Sequence, residues 1–132
     1  MKKHGILNSS IDKVLADLGH TDMVVIADAG LPIPKDVEKI DISLEFGKPS
    51  FEEVLKLLCR EMEIEEVTIA KEIVECNETQ YKNIKNLLKK DKRINYVTHK
   101  EFKNLTKNAR VVIRTGEVTP YSNIILHAGV IF

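Results

Sequence analysis

The sequence predicts an α/β protein, a single three-layer α/β/α domain spanning residues 1–132 with a mostly parallel or mixed central sheet. Three observations support this class. Segments with the two-residue period of strands alternate with segments of helical period along the chain. Met23–Ala27 is apolar at every position, which is typical of a strand covered on both faces. No repeat or long linker divides the 132 residues, a length that suits one domain.

The first predicted helix covers 9–18, where apolar residues recur on one face. Ser9 and Asp12 have the spacing of an N-terminal capping pair. Gly19 suits the position after the helix, where φ is usually positive. His20 is therefore expected in a turn that leads into the strand Met23–Ala27.

The middle of the chain predicts a strand, a helix and a second strand. Lys39–Phe46 alternates apolar and polar residues, as a half-buried strand does. Ser50 and Glu53 form a capping box, and the apolar face of the helix that follows extends to Met62. Val67–Ile73 is the next predicted strand.

The last third of the chain predicts two helices and three strands. Asn77 opens one helix, and a capping box of Thr98 with Glu101 places His99 at the first position of the other. The predicted strands are Ile94–Val97, Ala109–Arg114 and Asn123–Ala128. The final four residues, GVIF, are mostly apolar, although chain ends usually fray. We therefore expect a tethered terminus, held in the core or against a partner.

Composition excludes several classes of protein. Twenty Lys and Arg residues balance twenty Asp and Glu residues, so no general attraction to nucleic acid or to an anionic membrane is expected. Cys59 falls in an apolar helical pattern and is predicted to be a core residue. It forms no C-x-x-C motif with Cys76, which favours a reducing compartment. Neither a signal peptide nor a membrane span of about 18 apolar residues is recognisable, so we expect a cytoplasmic protein.

Motifs of cofactor-dependent and nucleophilic enzymes are missing from the sequence. Neither G-x-G-x-x-G nor a P-loop occurs, so no nucleotide cofactor is expected. The four histidines have no metal-binding spacing, and no metal site is expected unless they converge in space. There is no G-x-S-x-G, and neither cysteine has a histidine nearby in sequence, so only a spatial approach could create an activated nucleophile.

Polar side chains remain at the ends of predicted strands and in loops. They are His20, Asp28, His99, Glu117, Tyr121 and Asn123. Ligands of open α/β sheets bind beyond the carboxyl ends of the strands, where Asp28 is expected. Taken singly, each residue has a simpler interpretation, such as a histidine at a helix end or an aspartate that forms a turn. Together, imidazole, carboxylate, phenol and amide groups are typical of a sugar-binding site.

Several longer segments resemble the ribose pyranase and fucose mutarotase family over nearly the whole chain. These segments are HGILNS, LGHTDMVVIADAGLPIP, IDISL, EFKNLTKNARVVIRTGE and TPYSNIILHAGVIF. The resemblance implies a cytoplasmic, cofactor-free isomerase that interconverts the pyranose and furanose forms of D-ribose. It also implies a homo-oligomer, a decamer of two pentameric rings, with the site near the boundary between subunits. The alternatives are an L-fucose mutarotase and a non-catalytic sugar-binding accessory protein of ribose transport.

The resemblance also implies roles for individual residues. His20 matches the proton donor, which suits a side chain that exchanges protons near neutral pH. The implied sugar-binding residues are Asp28, His99, Lys103, Tyr121, Ser122 and Asn123. We expect His99 to bind the sugar rather than act as the base, and Ser122 to make contact through its backbone.

His20 and Asp28 are eight residues apart, up to about 26 Å in an extended chain. One subunit need not bring them together. We therefore expect His20 of one subunit to meet Asp28 of its neighbour.

Overall fold

Six strands form one mixed sheet in the computed structural model, which describes residues 1–132. They are β1 Met23–Ala27, β2 Glu38–Asp41, β3 Ile64–Ala70, β4 Arg93–Val97, β5 Val111–Arg114 and β6 Ile124–Ala128. Their order across the sheet is β2–β5–β1–β6–β3–β4. β6 is antiparallel to both of its neighbours, and all other pairs are parallel. The predicted α/β class with a mixed sheet is confirmed.

Five helices cover the two faces of the sheet unequally. They are α1 Ser9–Asp17, α2 Phe51–Glu61, α3 Ile73–Cys76, α4 Glu78–Leu87 and α5 His99–Leu105. The first four helices contribute to a core of 21 buried residues on one face. On the other face, Phe102 of α5 packs with Leu31 and Val37 in a smaller core of 8 residues. None of the helices is both long and apolar enough to span a membrane.

The strand directions divide the polar candidates between two edges of the sheet. Every strand except β6 ends at the same edge, where Asp28 follows β1 and His99 follows β4. β6 runs the other way, so Asn123 precedes it at that same edge. His20 precedes β1 and therefore lies at the opposite edge.

Two of the predicted helix starts are confirmed in detail. The side chains of Ser50 and Thr98 accept hydrogen bonds from the N–H groups of Glu53 and Glu101, whose carboxylates accept in return from the capping residues. A cap of this kind contributes about 1 kcal/mol. His99 is the first residue of α5, as predicted.

The predicted cap of α1 was wrong by one residue. Asn8 caps the helix, and its Oδ1 accepts a hydrogen bond from the N–H of Ile11 at 3.0 Å. The helix ends at Asp17, and Gly19 has no positive φ. The left-handed residue is Thr21, with φ of 70°, because Asp22 Oδ2 accepts the N–H of Gly19 and the reversal of the chain falls later.

Two predicted strands had the wrong bounds. β2 ends at Asp41 rather than Phe46, because Asp41 Oδ1 accepts the N–H of Ser43 and turns the chain out of the sheet. Leu44 and Phe46 are consequently 84% and 89% exposed instead of half-buried. β3 begins earlier than predicted, at Ile64, and ends at Ala70.

The apolar C-terminus does not enter the core of its own chain. Ile131 and Phe132 are almost fully exposed. The expectation that this segment packs in the core is therefore wrong, whereas its attachment to a partner stays a prediction. Cys59, in contrast, is partly buried against the larger core, as its apolar helical pattern predicted.

Substituting Gly116 with alanine should destabilise the fold through a backbone clash. A Cβ atom there would lie 2.3 Å from the carbonyl oxygen of Lys48 and 2.4 Å from that of Glu45, and neither backbone atom can rotate away. We expect a loss of about 3 kcal/mol in the free energy of unfolding, measured by urea denaturation. Gly47→Ala is the control, since its φ of +79° costs about 1 kcal/mol but its surroundings are open. Equal losses in the two variants would contradict the steric account.

Candidate functional site

Asp28 and Asn123 form a doubly hydrogen-bonded pair at the carboxyl edge of the sheet. Asn123 is completely buried, and its Oδ1 accepts the N–H of Asp28 at 2.8 Å. Its Nδ2 donates to Asp28 Oδ2 at 2.9 Å, while Asp28 Oδ1 accepts the N–H of Gly30 at 2.9 Å. Each carboxylate oxygen retains a free lone pair, so the pair presents an oriented acceptor to hydroxyl groups of a ligand.

The loop that carries Asp28 is fixed by contacts from β5 and from the segment after it. The carbonyl of Glu117 accepts the N–H of Ala29 at 2.8 Å. Arg114 donates from Nε to the carbonyl of Ala29 at 3.1 Å and from its guanidinium to Asp41 at 3.0 Å. These hydrogen bonds fix the backbone beside Asp28 and thereby the position of its carboxylate.

His99 and Tyr121 form an aromatic wall at the same edge. Their ring centroids are 5.1 Å apart and the rings are nearly perpendicular, at 83°. The Nδ1 atom of His99 is buried without a hydrogen-bond partner. Tyr121 has a φ of 56°, and its carbonyl accepts the N–H of Asn123 at 2.8 Å. The strained turn therefore links the aromatic wall to the Asp28–Asn123 pair.

The Ser122 hydroxyl belongs to a buried polar network behind this edge. It accepts hydrogen bonds from Asn77 Nδ2 and Gln80 Nε2, both at 3.2 Å, and lies 2.8 Å from the Thr119 hydroxyl. These three contacts use the hydrogen-bonding capacity of the Ser122 hydroxyl. A ligand contact at Ser122 would accordingly come from its backbone.

Glu117 anchors the same network with a buried carboxylate. Oε2 accepts from the Phe51 N–H at 3.2 Å and from Gln80 Nε2 at 3.3 Å. Oε1 accepts from the N–H groups of Val118 and Thr119 at 3.1 Å and from the Thr119 hydroxyl at 2.9 Å. Burial alone would raise the pKa of Glu117, but these hydrogen bonds outweigh it and leave the pKa below its ordinary value. The carboxylate is therefore ionised and structural.

His20 is not brought to this cluster within one chain. The whole of β1, about 16 Å at about 3.3 Å per residue, separates its edge of the sheet from that of Asp28. At the edge opposite Asp28, the Nε2 atom of His20 lies 2.8 Å from Glu65 Oε2, and both side chains are about half exposed. A recess beside His20 is lined by Leu15, Leu18 and the apolar C-terminal residues.

The side chain of Lys103 makes no hydrogen bond or ion pair with the other predicted residues. Its side chain is exposed in an open groove of about 1000 Å³ between α5 and Pro32–Pro34. That groove does not include the Asp28–Asn123 pair or the aromatic wall. No group of three or more His, Cys, Asp or Glu side chains is arranged to hold a metal ion.

The sequence pattern predicts only part of the support for this site. Glu117 is among the polar candidates that the pattern indicates, whereas Arg114 and Glu65 are not. In the sequence RTGE, Arg114 ends a predicted strand and Glu117 follows it closely, which is a usable signal. Nothing in the sequence relates Glu65 to His20, because 45 residues separate them.

Comparison with known proteins gives matches over the entire chain. The RbsD/FucU transport protein family matches residues 1–131. D-ribose pyranases of Bacillus cytotoxicus and Bacillus pumilus are 58% and 59% identical, with 100% of each chain covered. The structure of Bacillus subtilis RbsD complexed with D-ribose is 56% identical, with a TM-score of 0.97 over 100% of both chains.

A more distant structure shares the fold. The fucose mutarotase of Streptococcus pneumoniae in complex with L-fucose is 24% identical, with a TM-score of 0.80 over 99% of this chain and 100% of that one. The family model matches residues 1–131, and the D-ribose pyranases above are similar over the full length of this chain. The chain therefore belongs to the RbsD/FucU transport protein family.

Proposed function

We propose that this chain is a D-ribose pyranase, an isomerase that interconverts the pyranose and furanose forms of D-ribose. The observation that carries the proposal is the match over the whole length to D-ribose pyranases at 58% and 59% identity. The 56% identical RbsD complexed with D-ribose supports the same substrate. The oriented carboxylate, amide and aromatic groups at the carboxyl edge suit a ligand rich in hydroxyl groups.

The reaction needs proton transfer and no change of oxidation state. In ring opening, an acid donates a proton to the ring oxygen of ribopyranose while the bond from C1 to that oxygen breaks. The electron pair of that bond remains on the oxygen, which becomes the C5 hydroxyl. A base removes the proton of the C1 hydroxyl, and the aldehyde forms. After rotation of the chain, the C4 hydroxyl adds to C1 and the proton transfers reverse, so no cofactor is required.

We assign different roles in this reaction to the residues at the two edges of the sheet. His20 acts as the general acid in opening, the role that the family resemblance implies. Asp28, Asn123, His99 and Tyr121 bind and orient the sugar, with Ser122 contributing its backbone. The imidazole of His99, whose Nδ1 has no hydrogen-bond partner in the chain, offers a ring nitrogen to a sugar hydroxyl. Lys103, exposed on α5, is proposed as a further, peripheral contact of the sugar, as the family resemblance implies.

The separation of His20 from the binding residues supports a site shared between neighbouring subunits. Exposed apolar side chains occur at both edges: Leu44 and Phe46 at the carboxyl edge, and Ile131 and Phe132 near His20. A head-to-tail contact that buries both groups would bring His20 of one copy to Asp28 of the next, and repetition of that contact closes a ring. A decamer of two pentameric rings in the cytoplasm, as the family resemblance implies, is the assembly we propose.

Saturation-transfer NMR tests the proposed activity directly. A ribopyranose anomeric signal is saturated, and the loss of ribofuranose signal is followed with and without the protein. Transfer that appears only with protein supports the pyranase, and L-fucose serves as the specificity control. Saturable ribose binding without accelerated exchange would instead indicate a non-catalytic sugar-binding protein.

Substituting Asn123 with aspartate should weaken ribose binding. The new carboxylate would replace an amide nitrogen that lies 2.9 Å from Asp28 Oδ2, and two like charges at that distance oppose each other. We expect the KM for ribose to rise at least about tenfold, equivalent to about 1.4 kcal/mol. Asn86→Asp, on the exposed side of α4, is the control for the added charge. An unchanged KM in Asn123→Asp would remove the pair from the proposed binding site.

A further inference from the structure

The backbone around His20 is clamped to the end of β6. The N–H of Thr21 donates to the carbonyl of Ala128 at 2.9 Å, and the N–H of Ala128 donates to the carbonyl of Asp22 at 2.8 Å. Thr21 adopts a φ of 70°, which is rare for a β-branched residue. Strained residues of this kind persist where the surrounding contacts impose them, often at functional sites. The clamp fixes the position of His20 but leaves its ring to be oriented by another group.

A β-bulge in β3 places Glu65 opposite that ring. Ile64 pairs with Ala128 and Glu66 pairs with His127, so Glu65 is an extra residue without a partner in β6. Bulges re-aim side chains and are common beside active sites. Gly129 packs against the bulge, where a Cβ atom would lie 3.3 Å from the Glu65 nitrogen. The bulge and this glycine together give Glu65 its position.

Glu65 differs from the nearby carboxylates of Glu63 and Glu66 in the kind of side chain with which it pairs. Glu63 pairs with Lys92 at 3.0 Å, and Glu66 lies 3.9 Å from Arg93. Glu65 has no lysine or arginine partner, and its Oε2 lies 2.8 Å from His20 Nε2. A carboxylate only accepts hydrogen bonds, so the contact requires a proton on Nε2.

We propose that Glu65 is a positioning residue for the general acid: it accepts the Nε2 proton of His20, so that Nδ1 of the imidazolium donates its proton to the sugar in opening and the neutral Nε2-protonated ring takes a proton back at Nδ1 in closure. The inference rests on the proposed pyranase function and adds a residue to it. A carboxylate at one ring nitrogen fixes the tautomer and direction of the other, as in other histidine–carboxylate pairs. Exposed pairs contribute little to stability, so this contact acts on turnover rather than on folding.

Steady-state exchange kinetics of Glu65→Ala test the inference. We expect kcat to fall by about 10- to 100-fold, with KM for ribose changed less than about twofold. Glu65→Gln should recover part of the loss, since its amide oxygen can still accept the Nε2 proton. Glu66→Ala is the matched control, because it removes the adjacent carboxylate without touching His20. A loss in Glu65→Ala no greater than in Glu66→Ala would overturn the proposal.

A double variant separates positioning from a general structural effect. If Glu65 acts through His20, adding Glu65→Ala to His20→Ala should lower the residual exchange no further. An equal further loss in that background would overturn the proposal.

Nitrogen-15 NMR of histidine-labelled protein gives a readout that does not depend on catalysis. The Nε2-protonated tautomer of His20 should be present in the wild type and diminished in Glu65→Ala, and an unchanged spectrum would overturn the positioning role. Failure of the wild type itself to accelerate exchange would instead overturn the proposed function.

Discussion

Replacing His20 with alanine should lower kcat for pyranose–furanose exchange by about 10²- to 10⁴-fold, the usual contribution of a positioned acid–base group. Ribose should still bind, because the Asp28–Asn123 pair and the aromatic wall lie at the opposite edge of the sheet. Saturation-transfer NMR measures the exchange and calorimetry measures the binding. His4→Ala is the matched control, since His4 is also exposed. Wild-type exchange in His20→Ala would remove the histidine from the mechanism.

A mixture of His20→Ala and Asp28→Ala subunits tests whether the site is shared. In a ring, a complete site forms where an Asp28→Ala subunit supplies His20 to a His20→Ala neighbour that supplies Asp28. Random assembly of equal amounts should restore about a quarter of the wild-type sites. A complete site needs an Asp28→Ala subunit at one position and a His20→Ala subunit at the adjacent one, and each position is filled by the required variant about half of the time. Subunit exchange is verified by mass spectrometry of differently labelled chains. Complete exchange without recovery of activity would show that each site comes from a single chain.

Replacing Glu117 with alanine should lower the free energy of unfolding by about 3 kcal/mol or more, since each buried donor left without an acceptor costs about 1–3 kcal/mol. The carboxylate accepts five hydrogen bonds, from Phe51, Gln80, Val118 and Thr119. Urea denaturation at pH 7 measures the loss. Glu53→Ala is the control, because this exposed capping carboxylate accepts one bond, from the Ser50 N–H, and contributes about 1 kcal/mol. Similar losses in both variants would contradict the anchoring role.

The contribution of Glu117 should also depend on pH in a defined direction. Its pKa is lowered in the folded chain, so the unfolded chain binds the proton more readily. The stabilisation is therefore complete above the unfolded pKa, about 4.3, and is lost as the pH falls through the folded value. The difference in stability between wild type and Glu117→Ala should narrow in acid, and a constant difference from pH 7 to about pH 3 would contradict the assignment.

The sequence by itself predicted most of the local structure of this protein. The Ser50–Glu53 and Thr98–Glu101 pairs located two helix starts, because a capping box depends only on neighbours three residues apart. The apolar run of β1 predicted a strand covered on both faces, and the alternation of helices and strands predicted the α/β class. The alternation of apolar and polar residues in Lys39–Phe46 predicted too long a strand. A strand also needs a hydrogen-bonding partner, and β5 ends opposite Asp41.

Only the tertiary structure decided which polar residues meet. Asn123 lies 95 residues from Asp28 in sequence, and the antiparallel placement of β6 beside β1 makes them hydrogen-bonded partners. The same strand directions put His20 and Glu65 together at the far edge. Helix caps and hydrophobic periodicity are set by residues close along the chain. A site assembled from strand ends depends instead on strand order and direction, which no local pattern encodes.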